Sequence, residues 1–336
     1  MSVEQPFSRV PDVPTPGELI DLAFRRASKS AVKLPARKER LLVARLKEIR
    51  RIRTVSAILS SRLRAIKRRI PPVDKLHPFY RELFYVMMDV DKFRIALARI
   101  SRAASMVEGL AKEYVAKLRA SSSAREASRV RREYYGRVAS IIRELNGDLK
   151  VLSEIRRLRR LPSFDFSIPI IIVSGAPNVG KSSFVRCVST AKPEVAEYPF
   201  TTKSVSVGHV VAERGILAQV VDTPGLLDRP LEERNKIELQ AIAALKHLEG
   251  PVVFLVDPTE TCGYPLKYQV DVLRGVKELF KGRPMAVALT KMDIASKGHV
   301  ERAMELLKGE RVYMCSTLNC VGVKEIVEEL LKEVKR

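Results

Sequence analysis

Apolar residues between Ala36 and Ile70 fall at Leu42, Leu46, Ile49, Ile52, Val55, Leu59, Leu63, Ile66 and Ile70. The steps are three or four residues throughout, which draws one stripe down the side of a long helix. Pro71-Pro72 ends it, because proline has no amide hydrogen and its ring clashes with the preceding turn. A second helical stretch is predicted from about His77 to Arg119. A Ser-rich turn at 120–124 precedes a third, from about Arg125 to Arg160. Long helices joined by short turns predict an antiparallel bundle. Beyond "LPSFDFS" (161–167) the period changes. "IPIIIVS" (168–174) is a short β-branched run, and "VSVGHVV", "LAQVVD", "PVVFLVD", "PMAVALT" and "RVYMCS" follow, most of the later ones separated by amphipathic segments. Uniformly apolar strands alternating with helices predict a doubly wound, mainly parallel sheet. The fold class expected is therefore α followed by α/β, with domains at 1–162 and 163–336. No internal repeat is visible.

Charge sharpens this division. The chain of 336 residues has a net charge of +22. Residues 1–165 hold 38 Lys+Arg against 18 Asp+Glu, a balance of +20, which leaves +2 for the rest. A polycationic half beside a nearly neutral one points to a polyanionic partner for the first, nucleic acid or an anionic membrane surface. No apolar run reaches the roughly 18 residues of a membrane span, and Met1 opens no signal-peptide pattern. Cys187, Cys262, Cys315 and Cys320 lack metal-ligand spacing and read as reduced thiols of a cytosolic protein. His77, His209, His247 and His299 are scattered and read as structural or solvated. Phe79, Tyr80, Phe84, Tyr85, Tyr134 and Tyr135 sit at helical spacing beside apolar residues and are expected in the core rather than stacked on bases.

The chemistry lies in the second half. "GAPNVGKSS", Gly175 to Ser183, matches the phosphate-loop pattern and stands between the first strand and a helix. Glycines and backbone amides of Pro177-flanked Asn178, Val179 and Gly180 would wrap phosphates, Lys181 would reach the β- and γ-phosphates, and the Ser182 hydroxyl would ligate Mg²⁺. Ser183 would either bond the α-phosphate or open the helix. "VVDTPG" places Asp222 at a strand end to hold Mg²⁺ through water, with the Gly225 amide as γ-phosphate sensor. "TKMD" supplies Asp293, whose carboxylate can accept from guanine N1 and N2 together, while the Lys291 stem covers the base and Thr290 closes the strand. "CST" (315–317) stands where the backbone at Ser316 and Thr317 would meet the guanine carbonyl. In "EYPFTTKSVSVGHV" (197–210), Thr202 rather than Thr201 would complete the Mg²⁺ shell.

"YPFTT", "PNVGKSS" and a hydrophobic residue after DxxG resemble the Obg-related GTPases. Within them "FTTKSVSVGHV", "VVDTPGLLDRPLEERNKIELQAIAALKHL" and "HPFYRELF" are similar to the NOG family, the nucleolar GTP-binding proteins. The resemblance covers both halves. It implies a GTP/GDP-binding, GTP-hydrolysing factor in assembly of the large ribosomal subunit that binds pre-ribosomal RNA. Eukaryotic members carry a long C-terminal extension; this chain resembles the short archaeal form, which implies a cytoplasmic, monomeric protein without stable membrane association. Three positions depart from common GTPase patterns: Thr290 replaces Asn, Thr317 replaces Ala, and Pro177 fills a loop position often held by glycine.

Leu226 follows DxxG where many GTPases carry the glutamine that orients the attacking water, and a leucine cannot hydrogen-bond water. The catalytic set expected is therefore Asn178, Lys181, Thr202 and Gly225. Relatives sharing the "PN" of the loop include potassium-activated GTPases, which makes Asn178 a candidate K⁺ ligand; its other reading is a loop-stabilising amide. Alternatively a group on the basic domain or the ribosomal particle completes the site, or the protein is a GTP-gated scaffold that hardly hydrolyses. A helical domain ahead of a GTPase also describes the membrane-targeting signal-recognition GTPases, whose motifs "YPFTTKS" and Leu226 do not fit.

Overall fold

The structure is a computed structural model describing residues 5–30, 39–189, 193–199, 204–223 except 213 and 214, and 225–334. The N-terminal half forms helices α1 (Pro16–Ser28), α2 (Arg40–Arg69), α3 (Pro78–Met87), α4 (Val90–Ala120), α5 (Ala124–Glu144) and α6 (Asn146–Ser153), with a 3₁₀ stretch over Glu154–Arg160. The second and third predicted helices are each broken. Asp89 interrupts the second by capping the amide of Lys92 at 3.1 Å, which starts α4. Leu145 separates α5 from α6, and the last turns tighten to 3₁₀ geometry. α1 was not among the predicted elements. It begins on a capping box, Thr15 accepting from the Glu18 amide at 3.3 Å while Glu18 accepts from the Thr15 amide at 2.7 Å, with Pro16 pre-setting the first turn.

The chain divides into two compact units, and the division is not a single cut: Arg9–Pro72 with Met88–Arg159 form one, and Met1–Ser8, Val73–Met87 and Arg160–Arg336 the other. The first is the helical unit. Ile52, Val55, Leu59 and Leu63 of α2 are fully buried, and α2 packs along α4, whose Ala96, Ile100, Ala104 and Val107 are also fully buried. Small residues on α4 let two long helices approach closely. Glu48 ties α2 to α5 as the ion-pair partner of Arg131, whose Nε lies 2.8 Å from Oε2, and accepts from Arg51 Nη1 at 3.0 Å. Lys47, Arg50, Arg53, Arg62, Lys67 and Arg68 lie on the opposite, exposed face of the α2 stripe.

The second is the sheet unit. Its seven strands are β1 (Ile170–Gly175), β2 (Glu194–Ala196), β3 (Val205–Ala212), β4 (Gly215–Asp222), β5 (Val252–Val256), β6 (Met285–Leu289) and β7 (Val312–Met314), in the order β2-β3-β4-β1-β5-β6-β7. β4, β1, β5, β6 and β7 run parallel; β3 is antiparallel to β4, and β2 to β3. The short β2 was not predicted. The helices that follow β1 are α7 (Lys181–Val188), α8 (Lys236–Ala243), α9 (Leu266–Leu279), α10 (Lys297–Leu306) and α11 (Val323–Val334); α7 and α11 share a buried cluster with the sheet, including Ile171, Val173, Phe184, Val220, Leu255, Ile326 and Leu330. The strand order reverses at β1, which has β4 on one side and β5 on the other. In such sheets that point opens a crevice beyond the carboxyl ends of the strands.

α3 belongs to this unit. Phe79, Leu83 and Phe84 are fully buried, with Phe7 stacked on Phe84 at 6.3 Å and Phe79 edge-on to Phe164 at 5.2 Å. Tyr80 Oη donates to the Pro162 carbonyl at 2.9 Å. Phe79, Tyr80, Phe84 and Tyr134 are core, as expected; Tyr85 is 41% exposed and Tyr135 half-buried. The cysteine expectation is corrected. Cys187, in the last turn of α7, and Cys320, in the loop before α11, form a disulfide with Cα atoms 5.3 Å apart and a sequence separation of 133. Cys262 and Cys315 are free and buried, burial pushing the Cys315 thiol up to about 12. No helix among the described residues is long and apolar enough to cross a membrane, and none of their His, Cys, Asp and Glu side chains form a metal-binding group of three.

Candidate nucleotide site

The phosphate loop leaves β1 and enters α7 at the strand reversal. Gly175 sits at φ +141° with the β5 backbone so close that an added Cβ would lie 2.5 Å from Leu255 O, so only glycine fits. Asn178 takes the left-handed conformation at φ +61°. Gly180 is at φ +104°, its missing Cβ 2.7 Å from Thr317 Oγ1, which brings "CST" against the loop. The loop and Asp228 line a cavity of about 470 Å³ with Pro177, Asn178, Gly180, Lys181, Ser182 and Ser183 on its wall.

Lys181 is 7% exposed, and its Nζ donates to the Gly175 and Ala176 carbonyls at 2.8 and 2.7 Å. Buried neutral acceptors are weak partners for an ammonium, so a phosphate is the stronger ligand the cavity can admit. Ser182, in the first turn of α7, donates its hydroxyl to Asp222 Oδ2 at 2.5 Å, so the two expected Mg²⁺ ligands meet. Ser183 Oγ accepts from Arg186 at 2.9 Å, one turn along the helix. Two hard oxygens side by side, one from a carboxylate, suit Mg²⁺. Thr202, and Thr201 beside it, lie outside the described residues.

After β4 the chain turns back through Gly225. Its amide donates to Asp228 Oδ2 at 2.9 Å. Arg234 then clamps the turn, Nη1 on Gly225 O at 2.7 Å and Nη2 on Asp228 Oδ1 at 3.0 Å. Asp228 and Arg234 are 8% and 9% exposed. Leu226 and Leu227 are both buried and belong to the core, not to the cavity wall. Sequence reasoning missed Asp228 and Arg234; "GLLDRPLEER" carries them as charges beside buried leucines.

At the far side of the loop, Thr290 is fully buried and donates to Val179 O at 2.8 Å, fastening the end of β6 to the phosphate loop. Asp293 is exposed, and its Oδ1 accepts from Ser316 Oγ at 2.6 Å, which aims the carboxylate. Lys291, at φ +56°, turns its Nζ onto Asp257 Oδ2 at 2.7 Å and Thr261 Oγ1 at 2.9 Å. Asp257, which follows β5, was also missed. A lone carboxylate closing "PVVFLVD" and followed by Thr-x-Thr was the signal. Asn178 Nδ2 donates to Cys262 O at 3.4 Å, on the same turn.

Every described residue expected at the site is thus gathered at the carboxyl ends of β1, β4 and β6 and in the loop after β7. Residues 7–165 match the family model "NOG1 N-terminal helical domain", and residues 236–293 match "Nucleolar GTP-binding protein 1 (NOG1)". The chain is 37% identical to an uncharacterized protein of Methanocaldococcus jannaschii, over 88% of this chain and 83% of that one. It is 36% identical to nucleolar GTP-binding protein 1 of Encephalitozoon cuniculi, over 91% of this chain and 58% of that one, and 34% identical to that of Saccharomyces cerevisiae, over 85% and 44%. A crystal structure of a nucleolar GTP-binding protein 1 from Plasmodium falciparum is 35% identical, with a TM-score of 0.44 over 52% of this chain and 90% of that one. The chain spans about half the length of these curated eukaryotic relatives, 58% and 44%. Matched through its helical half and again across the "TKMD" strand, the chain belongs to the NOG family of nucleolar GTP-binding proteins.

Proposed function

We propose that the protein is a Mg²⁺-dependent GTP-binding and hydrolysing switch, acting in large ribosomal subunit assembly and binding pre-ribosomal RNA through its helical unit. One observation carries the reading: the phosphate loop, the Ser182–Asp222 oxygen pair and the Ser316-aimed Asp293 surround one crevice at the strand reversal. Loop amides and Lys181 hold the phosphates, Asp293 selects guanine, and the Gly225 amide senses the γ-phosphate. Ser182 and Asp222 would hold Mg²⁺, with Thr202 as the expected further ligand; the ion would neutralise charge on the phosphates. Segments 193–199 and 225–235 respond to the γ-phosphate, ordering around it and relaxing after its loss.

The switch releases Asp228. The Gly225 amide donates to that carboxylate, and the γ-phosphate of GTP would take the same donor. Leu226 and Leu227 are buried and cannot take the place of the water-orienting glutamine. Turnover by the isolated protein is therefore slow, and K⁺ held by Asn178 or a group on the ribosomal particle raises it. Names of the relatives support the nucleotide; the +20 balance of residues 1–165 supports the RNA, which the protein reads mostly through phosphates and helix shape. We place it in the cytoplasm as a monomer. The buried leucines also favour a second reading, a GTP-gated scaffold that hardly hydrolyses.

Multiple-turnover GTP hydrolysis in KCl and in NaCl at equal ionic strength, each with and without large-subunit particles, tests this. Stimulation by K⁺ alone makes Asn178 the cation ligand, and stimulation by particles alone places the missing group on the ribosome. Tight GTP binding with no turnover anywhere selects the scaffold.

A further inference from the structure

Asp257 is fully buried, and its two carboxylate oxygens accept more hydrogen bonds than a strand cap needs. Oδ1 accepts from the Thr259 amide at 2.9 Å and the Thr259 hydroxyl at 2.6 Å. Oδ2 accepts from the Cys262 amide at 2.8 Å, the Thr261 hydroxyl at 3.2 Å and Lys291 Nζ at 2.7 Å. Gln269, also fully buried, braces the turn from α9 (Leu266–Leu279): it donates to Asp257 O at 3.0 Å and Tyr264 O at 2.9 Å and accepts from the Asp257 amide at 2.8 Å. The carboxylate is therefore rigid. A lysine, by contrast, carries a flexible, strongly hydrated stem and points to water unless its ammonium is held. Here Lys291 is held at the end of β6, two residues before Asp293, its side chain 22% exposed.

We propose that Asp257 is a positioning residue for guanine recognition: by anchoring the Lys291 ammonium it lays the lysine stem along the base site that Asp293 defines. The inference rests on the proposed guanine-nucleotide site and adds to it a residue on a different strand. Charge agrees with the geometry. Burial alone drives the Asp257 carboxyl upward, but the bonds from Lys291, Thr259 and Cys262 outweigh it and hold the group below its ordinary value. The pair is thus an ion pair at neutral pH, and the base meets an ordered hydrocarbon stem instead of a solvated cation. Preordering of that kind removes the entropy otherwise lost on binding. The same turn meets the phosphate loop where Asn178 Nδ2 donates to Cys262 O at 3.4 Å.

The test is a double-mutant cycle on the full chain, with fluorescent GDP as probe and ATP and XTP as competitors. Asp257→Asn is expected to weaken GDP by about 10- to 100-fold, the range for losing one charge-assisted bond, chiefly through faster release. Combined with Lys291→Ala it should add almost nothing to Lys291→Ala alone, because both remove one interaction. Thr261→Ala, which keeps the carboxylate, should show a smaller loss in the same direction and covers the case in which Asp257→Asn does not fold. Losses that multiply in the double variant, or Asp257→Asn and Thr261→Ala both binding GDP like the parent, overturn the proposal. If the parent chain itself binds ATP as well as GDP, or if Asp293→Asn leaves selectivity intact, the guanine site is at fault instead.

Discussion

The two units of this protein treat charge in opposite ways. In the helical unit the cations lie outside: Arg50, Arg53 and Arg68 are exposed, and Glu48 is the buried carboxylate that ties α2 to α5. In the sheet unit the net charge is close to zero, yet Lys181, Asp222, Asp228, Arg234 and Asp257 are buried. Exposed charge stabilises little and is screened by salt, so it is free to serve an external polyanion. Buried charge is tolerated only where partners are fixed, so its concentration marks the place where a ligand is held. Net charge points to the proposed partner surface, and burial to the proposed site.

Experiments can separate the two regions. The largest effect expected is from Lys181→Ala, which should abolish detectable nucleotide binding in a fluorescent-GDP titration while leaving RNA affinity unchanged; GDP bound normally would remove the phosphate-loop assignment. Next, raising salt from 50 to 200 mM should weaken RNA binding by about 10³- to 10⁵-fold if six to ten phosphates are contacted, with little change in GDP affinity. A flat salt response would mean that the +20 surface serves something other than a polyanion. Smaller again, Arg234→Ala leaves Asp228 buried without its cation and should destabilise the sheet unit by about 3 kcal/mol in urea unfolding. Adding Asp228→Asn should recover part of that loss.

Much of this was readable in the chain. The α2 stripe ends where Pro71-Pro72 said it would, and six apolar runs became strands of the sheet. The phosphate loop was readable because its backbone demands, Gly175 above all, leave a spaced signature. The break before α4 was not, since Phe84, Met87, Val90 and Phe93 follow at three-residue steps across it and only the capping aspartate at 89 marks it. α1 had left its signature in Thr15-Pro16-Gly17-Glu18, and a search for capping boxes would have found it. The Cys187–Cys320 bond, the Asp228–Arg234 clamp and the Asp257–Lys291 pair depend on which loops meet, and hydrophobic period carries no record of that.

The return of Val73–Met87 into the sheet unit has a consequence for how the protein is made. The helical unit can close once Arg159 has emerged from the ribosome, with α3 left out as a loop. Phe84 already has Phe7 to stack on, but Phe79 must wait for Phe164, and α3 for the helices that follow β4. At roughly 5 to 20 residues per second, the remaining chain takes on the order of ten seconds or more to synthesise. Throughout that interval an aromatic helix with most of its partners unmade hangs from a finished, highly cationic bundle. The nascent chain is in this sense two proteins of different age, and the older one holds part of the younger one's core.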